Sequence, residues 1–298
     1  MAFYIERFKN IKKIDYDVEV ITPMFLGGAD AKGAELRIPP FKGMLRYCWR
    51  AIYVNLVKNN NDFSMLKSEE SKLFGDAGEY AGKSNVIISV DYNNIQIGSF
   101  NPLPHKVNNK FQFKGIKPGQ QFTITLSAQE KIHKLFELVT FLSGFGKRSR
   151  RGFGSIKIKR VNDKEYIDDF SDVNKILELI KSVNDIYQLD NVDNEKIVVR
   201  QSYNANYPFL KSIQLGKDCN TYDELLKKIG EASHNHNSDY TGFAKGQKRL
   251  ASPLYISTIK TTESEKYKPI ISTLNTVFEK SYNPTGHDTI NDFIKCIS

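Results

Sequence analysis

The first half of the chain has an order of secondary structure that limits its fold more than any other feature. Residues 15–20 read Asp-Tyr-Asp-Val-Glu-Val, an alternation of polar and apolar side chains with the period of a half-buried strand. Similar segments follow along the chain, and two stretches with helical spacing lie between them. The predicted strands cover residues 15–20, 85–91, 122–126 and 155–159, and the predicted helices cover residues 41–57 and 129–142.

This order of strand, helix, strand, strand, helix, strand is typical of the ferredoxin-like fold. In that fold both helices cover one face of an antiparallel sheet. The pattern fills residues 14–160, so we expect an α+β domain over residues 1–160. Its second sheet face would be free, which is how RNA-recognition modules of this topology present their binding surface.

The second half of the chain predicts a linker followed by a degenerate copy of the same domain. Residues 161–196 are acidic and contain one predicted helix, at 173–186. The remaining predicted elements are strands at 209–215 and 252–257, a helix at 222–229, and two further segments at 270–277 and 289–297. We therefore expect two ferredoxin-like domains, the second being degenerate and lying within residues 161–298.

Residues 231–250 do not fit this pattern. They are polar and aperiodic, and predict a long loop or a disordered segment. Their three cations, Lys245, Lys248 and Arg249, are additional candidates for contact with RNA or with a partner protein.

Composition excludes several classes of protein. No stretch approaches the roughly 18 apolar residues that a membrane helix needs, and the N-terminus lacks the pattern of a secretory signal. The three cysteines, Cys48, Cys219 and Cys296, are far apart in sequence, which suits reduced thiols better than a disulfide framework. We therefore expect a cytoplasmic protein with no membrane partner, and Cys48 in its core.

Positive charge is concentrated in the first half of the chain. The whole sequence has a net charge of +9. Residues 1–160 hold 26 Lys and Arg against 14 Asp and Glu, whereas residues 161–298 hold 17 against 20. This asymmetry indicates a polyanionic partner that is bound mainly by the N-terminal domain.

A basic, glycine-rich segment precedes the last predicted strand of the first domain. Residues 144–155, called here the Gly/Arg loop, read Gly-Phe-Gly-Lys-Arg-Ser-Arg-Arg-Gly-Phe-Gly-Ser. Glycine lets the backbone approach a ligand closely, cations neutralise phosphates, and phenylalanine can stack on unpaired bases. A charge run is usually a solvated turn, but four clustered cations repel one another unless an anion lies among them. We therefore expect this loop to bind RNA.

The first predicted helix carries a second group of cations. Lys42, Arg46 and Arg50 are four residues apart, so they lie one above another beside the apolar face. The spacing alone leaves two interpretations open, a solvated helix face or a row that contacts RNA phosphates, and the Gly/Arg loop favours the second. Trp49 borders the apolar face, and we expect it to pack in the core rather than stack on a base.

Catalytic and cofactor-binding motifs are weak. The Gly/Arg loop lacks both the third glycine of a dinucleotide-binding fingerprint and the Ser or Thr of a P-loop. A metal-independent ribonuclease would need a histidine near the RNA 2′-hydroxyl. His105 and His133 are isolated, and His234 and His236 have no companion ligand at metal-binding spacing. Asp30 is the acid best placed to face a ligand, although an Asx turn is its commoner role. We expect no catalytic residue, no metal and no cofactor.

Four motifs together resemble a known family. They are Thr22-Pro23-Met24-Phe25-Leu26-Gly27-Gly28-Ala29-Asp30, the long run from Glu35 to Ala51, Leu73-Phe74-Gly75, and the Gly/Arg loop. They closely resemble the RAMP superfamily of CRISPR proteins, and within it the family of first subunits of Cmr, the type III-B RNA-targeting effector complex. The run from Glu35 to Ala51 is the specific part, and the resemblance covers residues 14–160.

The resemblance implies a non-catalytic, RNA-binding subunit of a ribonucleoprotein that acts in antiviral RNA targeting. Such a subunit lies near the 3′ end of the guide RNA and contacts the guide–target duplex. Its implied neighbours are the sixth Cmr subunit and the backbone RAMP subunit, and the backbone subunit cleaves the target. The residues at motif positions that are implied to contact phosphate are Arg37, Lys42, Arg46, Arg50, Lys147, Arg148, Arg150 and Arg151.

Two other functions remain open at this stage. The same fold supports endoribonucleases that mature guide RNA from repeat transcripts, and such an enzyme would need a catalytic histidine. A scaffold that binds only proteins would show no affinity for RNA at low salt.

Overall fold

The computed structural model of the chain describes residues 10–28, 33–58, 62–78, 82–106, 108, 110–166, 172–245, 248–261 and 264–298. The helices in these segments are α1 (Pro39–Ile52), α2 (Ser64–Phe74), α3 (Glu130–Leu142), α4 (Asn174–Val183), α5 (Tyr222–Asn235) and α6 (Ile290–Lys295). The strands are β1 (Lys12–Val20), β2 (Ile87–Asp91), β3 (Ile97–Phe100), β4 (Phe113–Ile116), β5 (Gln121–Ala128), β6 (Ile156–Val161), β7 (Lys164–Glu165), β8 (Leu189–Asp193), β9 (Lys196–Val199), β10 (Leu210–Leu215), β11 (Phe243–Lys245), β12 (Lys248–Leu250), β13 (Leu254–Lys260) and β14 (Tyr267–Leu274).

The first sheet has the strand order β2-β5-β1-β6-β7, and every neighbouring pair is antiparallel. Its first four strands, with α1 after β1 and α3 after β5, reproduce the arrangement of a ferredoxin-like domain. The apolar residues of β1 face inward, since Tyr16, Val18 and Val20 are all buried. The predicted α+β fold class is confirmed.

Helix α1 forms where the sequence predicts it, with shifted boundaries. Two prolines occupy its first turn, where the lack of an N–H donor breaks no helical hydrogen bond. The helix ends at Ile52 rather than 57, and a 3-10 turn follows at Val54–Leu56. Trp49 is 2% exposed and stacks on Tyr53 with ring centroids 4.3 Å apart, so its expected packing is confirmed. Cys48 is also buried, as expected.

The second sheet has the same arrangement of strands as the first, except that one strand comes from a different place in the sequence. Its order is β13-β14-β10-β9-β8, again antiparallel throughout. Strand β10, helix α5, strands β13 and β14 and helix α6 follow one another as the first five elements of a ferredoxin-like unit. The place of the fourth strand is taken by β9, which precedes the unit in sequence. The second domain therefore departs from the regular ferredoxin-like fold in the origin of its fourth strand, as expected for a degenerate copy.

One hydrophobic core joins the two sheets. Buried residues of β1, α1 and α3 belong to the same cluster as residues of α4, β10 and β13. Helix α3 contacts both α4 and strands of the second sheet. A smaller cluster lies on the opposite side of the second sheet, under α5 and α6. The division of the chain at residue 160 therefore stays a prediction, because the core is continuous across it.

The prediction of a loop or disordered segment over residues 231–250 is wrong for the described part of that range. Helix α5 continues to Asn235, a 3-10 turn follows at Asp239–Thr241, and β11 pairs with β12. The helix is longer than predicted because Ala232 on its buried face extends the apolar stripe. In the described part of the chain, no helix has the length and apolar character needed to cross a bilayer.

Candidate nucleic-acid interface

The two ends of the Gly/Arg loop cross in close contact, with residues 144–145 lying against residues 153–154. The N–H of Phe145 donates to the carbonyl of Gly154 over 2.9 Å. A Cβ on Gly144 would collide with the carbonyl oxygen of Phe153, and one on Gly154, whose φ is +73°, would collide with that of Phe145. These two glycines therefore serve close approach between two backbone segments. We expected these glycines to let the backbone approach a ligand. That expectation is wrong for Gly144 and Gly154, because the space beside each is filled by a carbonyl oxygen of the same loop.

The two phenylalanines of the loop do not face solvent. Phe145 is fully buried and Phe153 is 2% exposed. Phe145 packs on Phe41 of α1 at 4.6 Å between ring centroids, and Phe153 packs on Phe25 at 5.0 Å. The prediction that they stack on RNA bases is wrong, because the crossing of the loop turns both rings into the core.

Two of the three loop arginines point into the C-terminal half. Arg150 donates to the carbonyl of Ser252, and its guanidinium lies 4.6 Å from the ring centroid of Tyr255. Arg151 donates to Ser233 Oγ, Ser252 Oγ and the carbonyls of Leu254 and Thr241 over 3.1–3.4 Å. Burial, and then the neighbouring arginines, lower the pKa of Arg151 to about 10, so it stays charged at neutral pH. Its donors are engaged by protein, which leaves it unsuited to phosphate contact.

Arg148 also lies at the boundary between the two halves. Its φ of +60° places it in the left-handed region, directly before the 3-10 turn at Ser149–Arg151. Burial lowers the pKa of Arg148. Together with desolvation and His234, Arg148 lowers the pKa of His105, whose ring stacks on His234 of α5 with centroids 5.2 Å apart. The positive charge of Arg148 therefore acts on a histidine that packs against α5.

Lys147 turns the other way, toward Arg37. The N–H of Lys147 donates to the carbonyl of Phe25 over 2.9 Å. The end of its exposed side chain passes Gly27, where a Cβ would lie 3.7 Å from Nζ. Arg37 Nη1 donates to the carbonyl of the same glycine over 3.2 Å. Gly27 thus joins a cation of the loop to a cation that precedes α1, and the described residues give neither cation an ion-pair partner.

Two of the three cations of α1 form ion pairs with one acid, Glu70, whose role was not predicted from the sequence. Arg46 Nε and Arg50 Nη1 each lie 2.6 Å from Glu70 Oε1 on α2, whose side chain is 7% exposed. The two arginines keep other N–H groups, and with one carboxylate the trio has a net charge of +1. Burial and then Arg46 lower the pKa of Lys42, and the described residues place no carboxylate in ion-pair contact with it.

The outer face of the first sheet carries a row of acids on β1 and, beside them on β6, the exposed cations Lys159 and Arg160. Asp15, Asp17 and Glu19 occupy the outward positions of β1. Asp15 and Asp17 accept hydrogen bonds from threonines of β5, and Glu19 lies 3.6 Å from Lys159. A row of carboxylates at the centre of the sheet repels phosphate. Lys42 on α1 and the two cations beside Gly27 have no carboxylate partner among the described residues.

The histidines are placed differently from one another. His133 is 1% exposed, and its ring nitrogens are hydrogen-bonded to the Tyr16 hydroxyl at 3.0 Å and the Lys12 carbonyl at 3.1 Å. His234 is exposed on α5. His236 Nε2 lies 3.2 Å from Cys296 Sγ.

The remaining candidates from the sequence are a metal site, Asp30 and the three cations of residues 231–250. Within the described residues, no three His, Cys, Asp or Glu side chains cluster as metal ligands would. Asp30 lies outside the described residues. Of the three cations in residues 231–250, Arg249 is exposed, and the side chains of Lys245 and Lys248 lie outside the described part.

The predicted family resemblance is confirmed by comparison with known proteins. Residues 17–157 match the family model of the RAMP superfamily. The chain is 28% identical to CRISPR system Cmr subunit Cmr1-2 of Pyrococcus furiosus over 184 residues, which cover 50% of this chain and 96% of that relative. It is 27% identical to subunit Cmr1-1 of the same organism over 199 residues, covering 58% of this chain and 56% of that relative.

Solved structures share the fold over nearly the whole chain. The crystal structure of Cmr1 from P. furiosus in its apo form has a TM-score of 0.61 at 19% identity, covering 95% of this chain and 96% of that one. A chain in the cryo-EM structure of the type III-B Cmr-beta complex bound to cognate target RNA has a TM-score of 0.60 at 13% identity, covering 96% and 98%. At these identities the likeness shows the fold.

Proposed function

Residues 17–157 of this chain belong to the RAMP superfamily, and from that premise we propose that the protein is a Cmr1-type subunit of a type III-B CRISPR effector complex. In this proposal it binds RNA and does not cleave it. Similarity to two Cmr1 subunits and a fold shared with a chain of an RNA-bound Cmr complex support the assignment.

The observation that carries the RNA-binding role is a cation strip. We define it as Arg37, Lys42, Arg46, Arg50 and Lys147. Lys147 and Arg37 both approach Gly27, and Lys42, Arg46 and Arg50 follow at four-residue spacing on α1, which begins two residues after Arg37. The strip remains net positive despite Glu70, so it attracts the phosphates of an RNA backbone without reading its sequence. Arg148, Arg150 and Arg151 are assigned to the contact between the two halves.

The proposed ligand is the guide RNA near its 3′ end, together with the guide–target duplex. The proposed protein neighbours are the sixth Cmr subunit and the backbone RAMP subunit, and the proposed compartment is the cytoplasm. The excess of positive charge in residues 1–160 supports a polyanion on this half of the molecule.

The histidine geometry supports a binding role over a ribonuclease. His133 is buried with both ring nitrogens engaged, so a 2′-hydroxyl cannot reach it. His234, unlike His133, is exposed and could be reached by RNA. Incubation with repeat RNA in the absence of metal is expected to give no cleavage. Cleavage that disappears in His234→Ala would instead establish the endoribonuclease function.

The cation strip can be tested by the salt dependence of RNA binding. For single-stranded RNA, log K falls against log salt with a slope of about 0.7 per phosphate neutralised. The double variant Arg37→Ala/Lys147→Ala should therefore flatten the slope by about 1.4. Fluorescence anisotropy with a labelled oligouridine at several salt concentrations measures this change.

The matched control is Lys72→Ala/Lys295→Ala. Both lysines are exposed and paired with an acid of their own helix, Glu69 and Asp292, so the control removes the same charge from outside the strip. Its slope should equal that of the wild type. Equal flattening in both double variants would mean that net charge alone matters, and it would remove the strip as the RNA-binding site.

A further inference from the structure

A ladder of four phenylalanine rings leads from the core to the surface. Phe153 and Phe25 are each 2% exposed, and their ring centroids are 5.0 Å apart. Phe25 packs on Phe113 at 5.2 Å, and Phe113 packs on Phe111 at 4.9 Å, both with edge-to-face geometry. Phe111, at the outer end, is 57% exposed. Its position is therefore fixed from below by three packed rings.

The ladder is held by a small hairpin outside the two main sheets. Strands β3 and β4 pair with each other only, and Ile116 at the end of β4 exchanges two backbone hydrogen bonds with Met24, at 2.9 and 3.1 Å. This contact attaches the hairpin beside the strand-like segment that also receives Lys147. Phe111 lies two residues before β4 and is held there by its contact with Phe113, the first residue of that strand.

Cations lie beside the inner rings of the ladder and next to its outer end in sequence. Lys147 Nζ lies 5.3 Å from the ring centroid of Phe113, and Arg37 is bound to the neighbouring Gly27. Lys110 directly precedes Phe111, Lys114 directly follows Phe113, and both lysines are exposed. In the described part of the chain no carboxylate pairs with any of these four cations. An exposed ring among unpaired cations combines the two groups that bind single-stranded nucleic acid.

We propose that Phe111 stacks on an unpaired base of bound RNA while Lys147 and Arg37 hold the adjacent phosphates, which rests on the RNA-binding function proposed above. A base fits this site better than a protein surface, because Lys147 lies over the ring next to Phe111 and neither Lys147 nor Arg37 has a carboxylate partner among the described residues. The stacking site is then on the β3–β4 hairpin and not in the Gly/Arg loop, whose rings are buried.

The test compares a base-bearing probe with an abasic one. Binding of a short oligouridine and of an abasic ribose-phosphate strand of equal length is measured by anisotropy for wild type, Phe111→Ala and Phe111→Tyr. Stacking contributes about 1–3 kcal/mol per base, so Phe111→Ala should weaken binding of the base-bearing strand by roughly 5- to 150-fold. Binding of the abasic strand and the salt slope should stay unchanged, and Phe111→Tyr should restore affinity.

The matched control is Tyr92→Ala, which removes another exposed ring, 46% exposed, from outside the ladder. It should leave both affinities unchanged. Phe111→Ala should also quench the fluorescence of an RNA-borne 2-aminopurine less than the wild type does. The urea midpoint of Phe111→Ala should equal that of the wild type, which would show that the fold is intact.

Each other outcome overturns a stated part. Absence of RNA binding by the wild type at low salt overturns both the proposed function and the stacking site. Normal RNA binding with no effect of Phe111→Ala overturns the stacking site alone, and loss of co-purifying subunits in that variant would assign Phe111 to a protein interface. Equal weakening of both probes with a flatter salt slope would mean that Phe111 only positions Lys147.

Discussion

At the scale of single residues, the glycines of the Gly/Arg loop are fixed by contacts within the protein. Gly144 and Gly154 lie where the two ends of the loop cross, each against the carbonyl oxygen of a phenylalanine in the opposite end. The crossing turns Phe145 and Phe153 inward. A side chain at either glycine would separate the ends and expose the rings.

Gly154→Ala should lower the free energy of unfolding by more than about 2 kcal/mol, because strain at a positive φ adds to a collision with backbone. Gly119→Ala is the matched control, since Gly119 also has a positive φ, +82°, but has open space where the Cβ would lie. It should cost only about 1 kcal/mol. Urea unfolding measures both, and equal losses would show that the crossing tolerates a side chain.

At the scale of secondary-structure elements, α1 and α2 are joined by one buried carboxylate. Glu70 holds Arg46 and Arg50, which belong to successive turns of α1, so α2 fixes the direction of two cations of the strip. Lys42 lies one turn earlier and is not held in this way by any described acid. The helix therefore contains cations with two different roles.

Glu70→Gln and Lys42→Ala should separate these roles. Glu70→Gln should lower the free energy of unfolding by about 2 kcal/mol, because two partly buried guanidinium groups lose their counter-charge, and RNA binding should persist. Lys42→Ala should change stability by less than about 0.5 kcal/mol and flatten the RNA salt slope by about 0.7. Urea titration and anisotropy check the pair, and a stability loss in Lys42→Ala with no change of slope would contradict it.

The sequence predicted the elements of the first domain because their periodicity is local. Strand β1 alternates over six residues, and α3 has apolar residues at helical spacing. The β3–β4 hairpin was missed, since each of its strands has four residues and includes a glycine. Phe111 and Phe113 alternate with polar residues between Lys110 and Lys114, and this pattern could have indicated a surface aromatic strand.

The roles of individual cations could not be predicted in the same way. Arg151 finds its acceptors 82 to 103 residues further along the chain, and Glu70 lies 20 and 24 residues from its arginines. A sequence shows that charge is clustered. It does not show which donors are already engaged by distant parts of the same chain, and this decides which cations remain for a ligand.

At the scale of the whole molecule, the Gly/Arg loop connects the two halves. The N–H of Gly152 donates to the carbonyl of Ile256 on β13 over 2.8 Å, and Arg151 bonds to the same half through several donors. Together with the continuous core, these contacts couple the two sheets. We therefore expect them to unfold together.

Trp49, the one tryptophan of the sequence, reports on the N-terminal half. Its fluorescence and far-UV circular dichroism should follow one coincident urea transition in the wild type. Arg151→Met should lower the free energy of unfolding by about 3 kcal/mol, since several buried acceptors lose a charged donor, whereas Arg249→Met at an exposed position should have little effect. Separate transitions in the wild type would show that the halves are independent.

The position of β9 determines how this molecule can be divided. A fragment that begins at Leu210 would retain the helices and strands that follow but would lose the strand that borders β10. The N–H and C=O groups along that side of β10 would then face water, and such an edge is a template for pairing with another chain. Excision at that point would therefore give self-associating material, whereas a cut made before Leu189 keeps the edge covered.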